Sequence, residues 1–238
     1  MRYRRAIVAV GVVTLVLGVV FYWGNGILIA IESGDLSISS GTYADGSIRN
    51  SKRLPSSGPN FSTYSRFGSL LGRTCVHDKV RETILDAYAR VDGELPSRPF
   101  VFGETGWPHG GIFWPHKTHQ NGLSVDFMVP VVDHDGRPTV FPTNIFNKFG
   151  YGEEFDSTGH SRSYSIDFDA MAVHLKAIQA AAGVHGLEIR VVIFDTTLQK
   201  LLFASREGKD LPMIVRFSTK PAWVRHDEHY HIDFSIRG

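Results

Sequence analysis

The sequence has almost no cysteine. Its single thiol, Cys75, can form no intrachain disulfide and no multi-thiolate zinc site, so a disulfide-stapled fold and a zinc finger are both excluded. Any metal must be held by histidine and carboxylate. An excess of charge is missing too: 25 Lys and Arg stand against 24 Asp and Glu, a formal net charge of +1. Phosphate-dominated partners normally require a basic excess, so nucleic acid is not an expected partner. No internal repeat is present. With 42% hydrophobic and 21% charged residues, the 238-residue chain is neither disordered nor a polytopic membrane protein. It is long enough for one large domain or two small ones.

Charge is also missing from one continuous stretch, Ala6 to Trp23, which Arg2, Arg4 and Arg5 precede. After Gly24-Asn25-Gly26 the apolar character resumes through Ile31. At 1.5 Å per residue, about 18 to 26 helical residues span about 27 to 39 Å, enough for a hydrocarbon core. The run is apolar on every face, which does not suit the half-buried helix of a soluble domain. It also exceeds the about 7 to 15 apolar residues of a cleavable signal, and Leu28-Ile29-Ala30 is a poor cleavage site. An uncleaved membrane anchor is therefore expected over 1–31, a short linker over 32–38 and the working domain over 39–238. Arginines at the N-terminal end place that end in the cytoplasm. The expected location is the inner membrane, with the working domain periplasmic or otherwise extracytoplasmic.

From Glu32 to Asn60 the composition turns to Ser, Gly, Asn and Pro, which fits either a tether or a loop-rich arm. Val76, Val80, Ile84, Ala87 and Val91 then form a helical stripe, closed by Gly93 and Pro96. Arg98–Gly103 reads as a strand. The stretch 103–122, rich in Gly, Trp, His and Pro, is too long for a simple turn and is a candidate functional loop. Gly122–Val132 alternates as a strand, with Val125, Phe127 and Val129 on one face and Ser124, Asp126 and Met128 on the other. His134-Asp135-Gly136 reads as a turn. A helix over Asp169–Ala182, a strand over Glu188–Phe194 and a helix over Thr196–Arg206 follow. A connection containing Pro212 and Pro221 leads to a closing strand, Glu228–Ile236. The predicted fold is α+β, a mixed or mainly antiparallel sheet with flanking helices, preceded by one N-terminal transmembrane helix.

Chemistry concentrates in histidine. Of eleven histidines, His109, His116 and His119 lie in the long loop, and His226, His229 and His231 lie at the last strand. Asp126 follows His119 by seven positions, inside the predicted strand, with Gly122 giving the chain room to turn between them. The strand period of two turns His229, His231 and Asp233 to one face and Tyr230, Ile232 and Phe234 to the other. If the two strands pair, His119, Asp126 and one histidine of the last strand supply a three-ligand zinc site with an open position. The remaining histidine is placed to handle a proton. Spacing does not distinguish His229 from His231 in these roles.

The stretch Gly103-Glu-Thr-Gly-Trp-Pro-His-Gly-Gly-Ile-Phe, then His116-Lys-Thr-His119-Gln-Asn-Gly122 and Val125-Asp126, resembles the penicillin-insensitive murein endopeptidases. That group includes lysostaphin, D-Ala-D-Ala carboxypeptidases and hedgehog domains. The closing His226-Asp-Glu-His229-Tyr-His231 and the entry Gly41-Thr-Tyr-Ala-Asp-Gly-Ser-Ile48 with Leu54-Pro55 are similar to the same family, over about Ser39 to Phe234. The resemblance implies that the arm belongs to the catalytic domain. It implies Zn2+ on His119, Asp126 and His231, His229 as general base with His226 in the catalytic group, and His116 at the rim for substrate binding. Amide hydrolysis in the peptide stems and cross-links of peptidoglycan is the implied reaction. A D-Ala-D-Ala carboxypeptidase or dipeptidase, and a zinc-stabilised binding module without catalysis, are the alternatives. The family's familiar member is soluble and cysteine-rich, whereas this chain has Cys75 alone and an apolar leader. Asp156 and His160 occupy the region of a suspected second metal site.

Secondary candidates surround this set. Asp227, Glu228 and Asp233 are adjacent carboxylates, either solvated surface charges or a set of which one orients a ligand imidazole. Lys117 and Arg225, each beside a site histidine, are candidates for meeting carboxylates of a wall peptide. Trp107, Phe113 and Trp114 either wall a groove or pack the loop down. Cys75 reads as an inert small residue.

Overall fold

The computed structural model describes residues 2–220 and 225–237, so Pro221 lies outside the described residues. In chain order the elements begin with a long helix α1 (Arg2–Ala30) and short strands β1 (Ile38–Gly41), β2 (Gly46–Arg49), β3 (Lys52–Arg53) and β4 (Phe61–Thr63). Helix α2 (Arg66–Leu71), β5 (Cys75–Val76), α3 (Asp78–Glu94), β6 (Phe100–Phe102), β7 (Ser124–Met128), β8 (Val131–Val132), β9 (Pro138–Thr139) and β10 (Ser165–Ile166) follow. The chain closes with α4 (Phe168–Val184), β11 (Leu187–Ile193), α5 (Leu198–Ala204), α6 (Leu211–Ile214) and β12 (His229–Ile236).

The central sheet runs β11-β12-β7-β6-β4, antiparallel throughout except for the parallel β4–β6 pair. This is the mixed, mainly antiparallel α+β arrangement predicted. The period of two splits β7 and β12 as expected. Val125, Phe127, Tyr230, Ile232 and Phe234 belong to the hydrophobic core beneath α3 and α4. The polar face carries Ser124 and Asp126 beside His229, His231 and Asp233.

Helix α3 starts where predicted to within two residues. The His77 imidazole accepts from Lys79 N (3.3 Å), and Val80, Ile84, Ala87 and Val91 are all buried. Val76, included in the predicted helix, instead pairs with Lys52 as part of a short strand in which Cys75 pairs with Arg53. Helix α4 is capped by Asp167, whose carboxylate accepts from Ala170 N (2.9 Å). The predicted strand through Val132 breaks at Pro130, which has no N–H to give the ladder. Beyond it β8 joins a separate three-stranded sheet with β9 and β10. The turn at His134-Asp135-Gly136 forms around the Asp133 carboxylate, which accepts from Asp135 N and Arg137 N, both at 2.9 Å.

The Ser/Gly-rich arm is folded onto the domain. Ser39 Oγ donates to Asn121 O (2.6 Å), and Tyr43 Oη donates to Phe234 O (2.7 Å). Residues 32–38 are bonded in as well. Ser37 N donates to Asp78 Oδ2 (3.0 Å), and Glu32 accepts from Arg53 N (2.6 Å) and pairs with Arg81 (2.8 Å). In α1, Ala9–Ala30 is long and apolar enough to cross a membrane.

Candidate active site

The polar face of β12, paired with that of β7, lines a cavity of about 670 Å³ through His229 and His231. Its register is set by the antiparallel ladder, which places His231 opposite Asp126 and Asp233 opposite Ser124. Position 126 is completely buried, as are His119, His229 and His231 to within a few per cent. An ionised carboxylate there needs cationic or donor partners.

Those partners converge from three segments. His231 Nδ1 lies 2.9 Å from Asp126 Oδ1, and His119 Nε2 lies 3.3 Å from the same oxygen. The second oxygen, Oδ2, accepts from Tyr151 Oη (2.9 Å) and is 3.8 Å from His116 Nδ1 and 3.9 Å from His229 Nε2. The far nitrogens are held from behind. His119 Nδ1 meets Thr105 O (3.2 Å), His229 Nδ1 meets Glu228 Oε1 (3.0 Å) and His231 Nε2 meets Asp233 Oδ1 (2.8 Å). Ser124 Oγ in turn donates to Asp233 (2.6 Å). The predicted carboxylates therefore divide their work, Glu228 orienting His229 and Asp233 orienting His231. Asp227 points away and accepts from Phe155 N (2.6 Å).

The long loop reaches the site because glycine allows its two limbs to touch. Gly106 has φ +148, and a Cβ there would lie 2.6 Å from His119 O. Opposite it His119 takes φ +69, a left-handed conformation that costs a non-glycine residue energy. Phe113 is fully buried, packed edge-on to Trp107 at 5.4 Å, with the Arg73 guanidinium over both rings. These two aromatics pack the loop down, whereas Trp114 is exposed and lies outside that packing.

Electrostatics follow from the geometry. Burial alone would raise the Asp126 pKa, but the surrounding imidazoles outweigh it and hold the carboxyl well below its ordinary range. Burial lowers His119. For His231 burial is overcome by Asp233 and Asp126, which together push the imidazole up to about 10. His229 is raised in the same way by Asp126 and Glu228 against burial.

The donor set fits a divalent cation. His116, His119 and Asp126 each offer a ligand atom, and these three atoms lie within 4.8 Å of one another. Among the described residues the completely buried His119 Nε2 makes no hydrogen bond of good geometry, although it lies 3.3 Å from Asp126 Oδ1. Two imidazoles and a carboxylate are a ligand set suited to zinc.

Of the remaining predicted residues, His226 stacks near His229 with ring centroids 4.5 Å apart and lines the cavity, as do His116 and Lys117. His109 is exposed, and its carbonyl accepts from Ile48 N at 3.1 Å. Arg225 is bound internally by Asp195 (3.3 Å), Asp227 (3.5 Å) and Phe155 O (2.5 Å). Asp156 caps its own turn, accepting from Thr158 N (2.8 Å) and His160 N (3.0 Å), and is not among the donors around Asp126. Cys75 is buried and its thiol is pushed up to about 11 by that burial, as an inert residue should be.

Two site residues were not among the candidates read from the sequence. Glu104 pairs with Arg73, accepts from Tyr64 Oη (2.8 Å) and meets His116 Nε2 (2.6 Å). Burial opposes its ionisation, yet His116 and Arg73 hold its pKa down to about 2. Tyr151 Oη bridges the two carboxylate residues, accepting from Glu104 N (2.9 Å) while donating to Asp126. The acid inside the Gly103-Glu-Thr-Gly106 stretch was the only available signal for the first. Nothing local pointed to the second.

Residues 39–237 match the family model described as penicillin-insensitive murein endopeptidase. No curated protein matches the chain significantly.

Proposed function

The chain belongs to the penicillin-insensitive murein endopeptidase family, and from that membership we propose that it is a zinc-dependent endopeptidase hydrolysing amide bonds in peptidoglycan cross-links. His119, Asp126 and His231 are the zinc ligands in this reading, and His229 is the general base. The supporting observation is the convergence of His231 Nδ1 and His119 Nε2 on Asp126 Oδ1, at 2.9 and 3.3 Å, with His231 lining the cavity. His116 is the geometrical rival as third ligand, its Nε2 held by Glu104 as that of His231 is held by Asp233, but its Nδ1 lies 3.8 Å from the Asp126 carboxylate against 2.9 Å for His231. We assign it to substrate binding, with His226 beside the base in the catalytic group.

Bound zinc would polarise the scissile carbonyl and acidify water at neutral pH. The residues of the chain do the rest. Asp233 fixes the ring of His231 and Thr105 O fixes that of His119, which sets the nitrogens presented to the ion. Glu228 orients His229 so that its Nε2 faces the cavity, where it can take a proton and return it to the leaving amine. Phe67, Leu71, Pro115, Phe149 and Ile193 give the cavity apolar lining.

In this reading α1 anchors the protein in the inner membrane and the catalytic domain is periplasmic. The test is muropeptide mass spectrometry with parallel zinc analysis. Loss of cross-linked dimers supports an endopeptidase. Loss of free pentapeptides with dimers intact replaces it with a carboxypeptidase. Zinc retained in His231→Ala but lost in His116→Ala reassigns the third ligand.

A further inference from the structure

The last turns of α1 are not free of the domain. Gly24 and Asn25 are buried. Asn25 Nδ2 donates to Leu54 O (2.9 Å) and to Ser56 Oγ (3.1 Å), while its Oδ1 accepts from Arg53 Nη1 (3.3 Å). At Gly24 a Cβ would lie 2.7 Å from Leu70 Cδ1, so α1 and α2 touch almost backbone to side chain. The Arg66 guanidinium, also on α2, sits 5.5 Å from the centroid of the Tyr22 ring. Beyond the helix Glu32 is held by Arg53 and Arg81.

These contacts limit how far the bilayer can reach. An asparagine bonded to an arginine, with arginine Arg66 one turn below, is costly inside hydrocarbon and is expected at or above the headgroups. Ala6–Trp23 still gives 18 residues, about 27 Å of helix, close to the about 30 Å of a hydrocarbon core. Phe21, Tyr22 and Trp23, all exposed, then form the interfacial aromatic belt. Helix α2 packs on α1 through Leu70, and its Phe67 and Leu71 line the mouth of the cavity. Both are about half exposed, at 54% and 52%.

We propose that α1 is a rigid mount rather than a tether. Gly24–Ala30 belongs to the catalytic domain, the bilayer takes the helix only as far as Trp23, and α2 holds the mouth of the cavity against the lipid surface. The substrate is then the peptide stem lying next to the bilayer. This inference rests on the anchor and endopeptidase readings above.

The experiment uses the full chain reconstituted in phosphatidylcholine vesicles carrying spin-labelled headgroups. A fluorophore is placed through Phe67→Cys, Cys75 being only 1% exposed. A second protein carries fifteen Gly/Ser residues between Trp23 and Gly24, a flexible spacer of about 20 Å. Strong quenching in the first protein, reduced at least about twofold by the spacer, is expected. Equal quenching in the two overturns the mount. Without the fluorophore, the spacer is expected to slow cleavage of a lipid-tethered cross-linked peptide by about threefold or more and to leave soluble muropeptide cleavage unchanged. Equal rates on the tethered peptide overturn the assignment of membrane-adjacent substrate. Soluble cleavage also reports that the inserted protein folds. Its absence in both proteins counts against the endopeptidase reading alone, because quenching is read without substrate.

Discussion

His174 on α4 sits directly behind the strand that carries His229 and His231, and it makes stability depend on pH. Its imidazole is buried among Tyr88, Phe100 and Phe127, stacked at 5.0 Å on Tyr88, and its Nδ1 shares a hydrogen bond with the Tyr230 hydroxyl. Nε2 has no partner. Burial in this apolar setting pushes its pKa down from 6.5 to about 3. Between those values the unfolded chain binds a proton that the native state excludes, so stability is full above about 6.5 and is lost as pH falls toward 3. At about 1.4 kcal/mol per pH unit the whole interval bounds the loss at about 5 kcal/mol, and the step from pH 6.5 to 4.5 accounts for about 3. His174→Phe keeps a ring against Tyr88 and removes the titration. It strands the Tyr230 hydroxyl and is expected to cost about 1–3 kcal/mol at neutral pH. The assay is urea unfolding at pH 7 and pH 4.5, with chelator present so that metal-linked protons do not enter. All other titrating groups cancel in the difference between proteins. The variant is expected to lose about 2–3 kcal/mol less than the parent between the two pH values. Equal losses, within about 0.5 kcal/mol, refute the reasoning.

Four further outcomes are expected. His119→Ala, Asp126→Ala and His231→Ala each lower zinc occupancy by elemental analysis, while His229→Ala keeps zinc and loses about two to four decades of turnover. Tyr151→Phe removes the bridge between Asp126 and Glu104 N and is expected to lower kcat about tenfold with zinc retained, as measured by muropeptide turnover beside metal content. Gly106→Ala forces a Cβ to within 2.6 Å of His119 O and should abolish activity and reduce zinc content even where circular dichroism shows a folded chain. Asp227 is raised from 3.8 to about 6 by burial, so the native state holds a proton the unfolded chain has lost, and stability falls as pH rises through that window. Asp227→Asn should therefore raise Tm at pH 7.5 and do so much less at pH 4.

Local pattern determined a great deal. Alternation alone put Asp126 on the face opposite Val125 and Phe127, and put His229, His231 and Asp233 together, because side-chain direction in a strand depends only on parity. The scarcity of cysteine and the two histidine clusters restricted any metal site to imidazole and carboxylate. A charge-free run of eighteen residues gave the helix at the N-terminus. Tertiary structure decided what parity leaves open. Whether His231 or His229 lies opposite Asp126 is a matter of register between strands more than a hundred residues apart, and the ladder chose His231. Glu104 and Tyr151 enter the site through contacts that no spacing encodes, since their partners are Arg73, His116 and Asp126 from other segments. The arm from Glu32 to Asn60 has the composition of a linker, yet it is structured because the domain supplies the hydrogen-bond partners its polar backbone needs. Asn25 is the sharpest case. In sequence it interrupts an apolar helix, and only the fold shows that this polar residue ties the end of that helix to the domain through Leu54, Ser56 and Arg53.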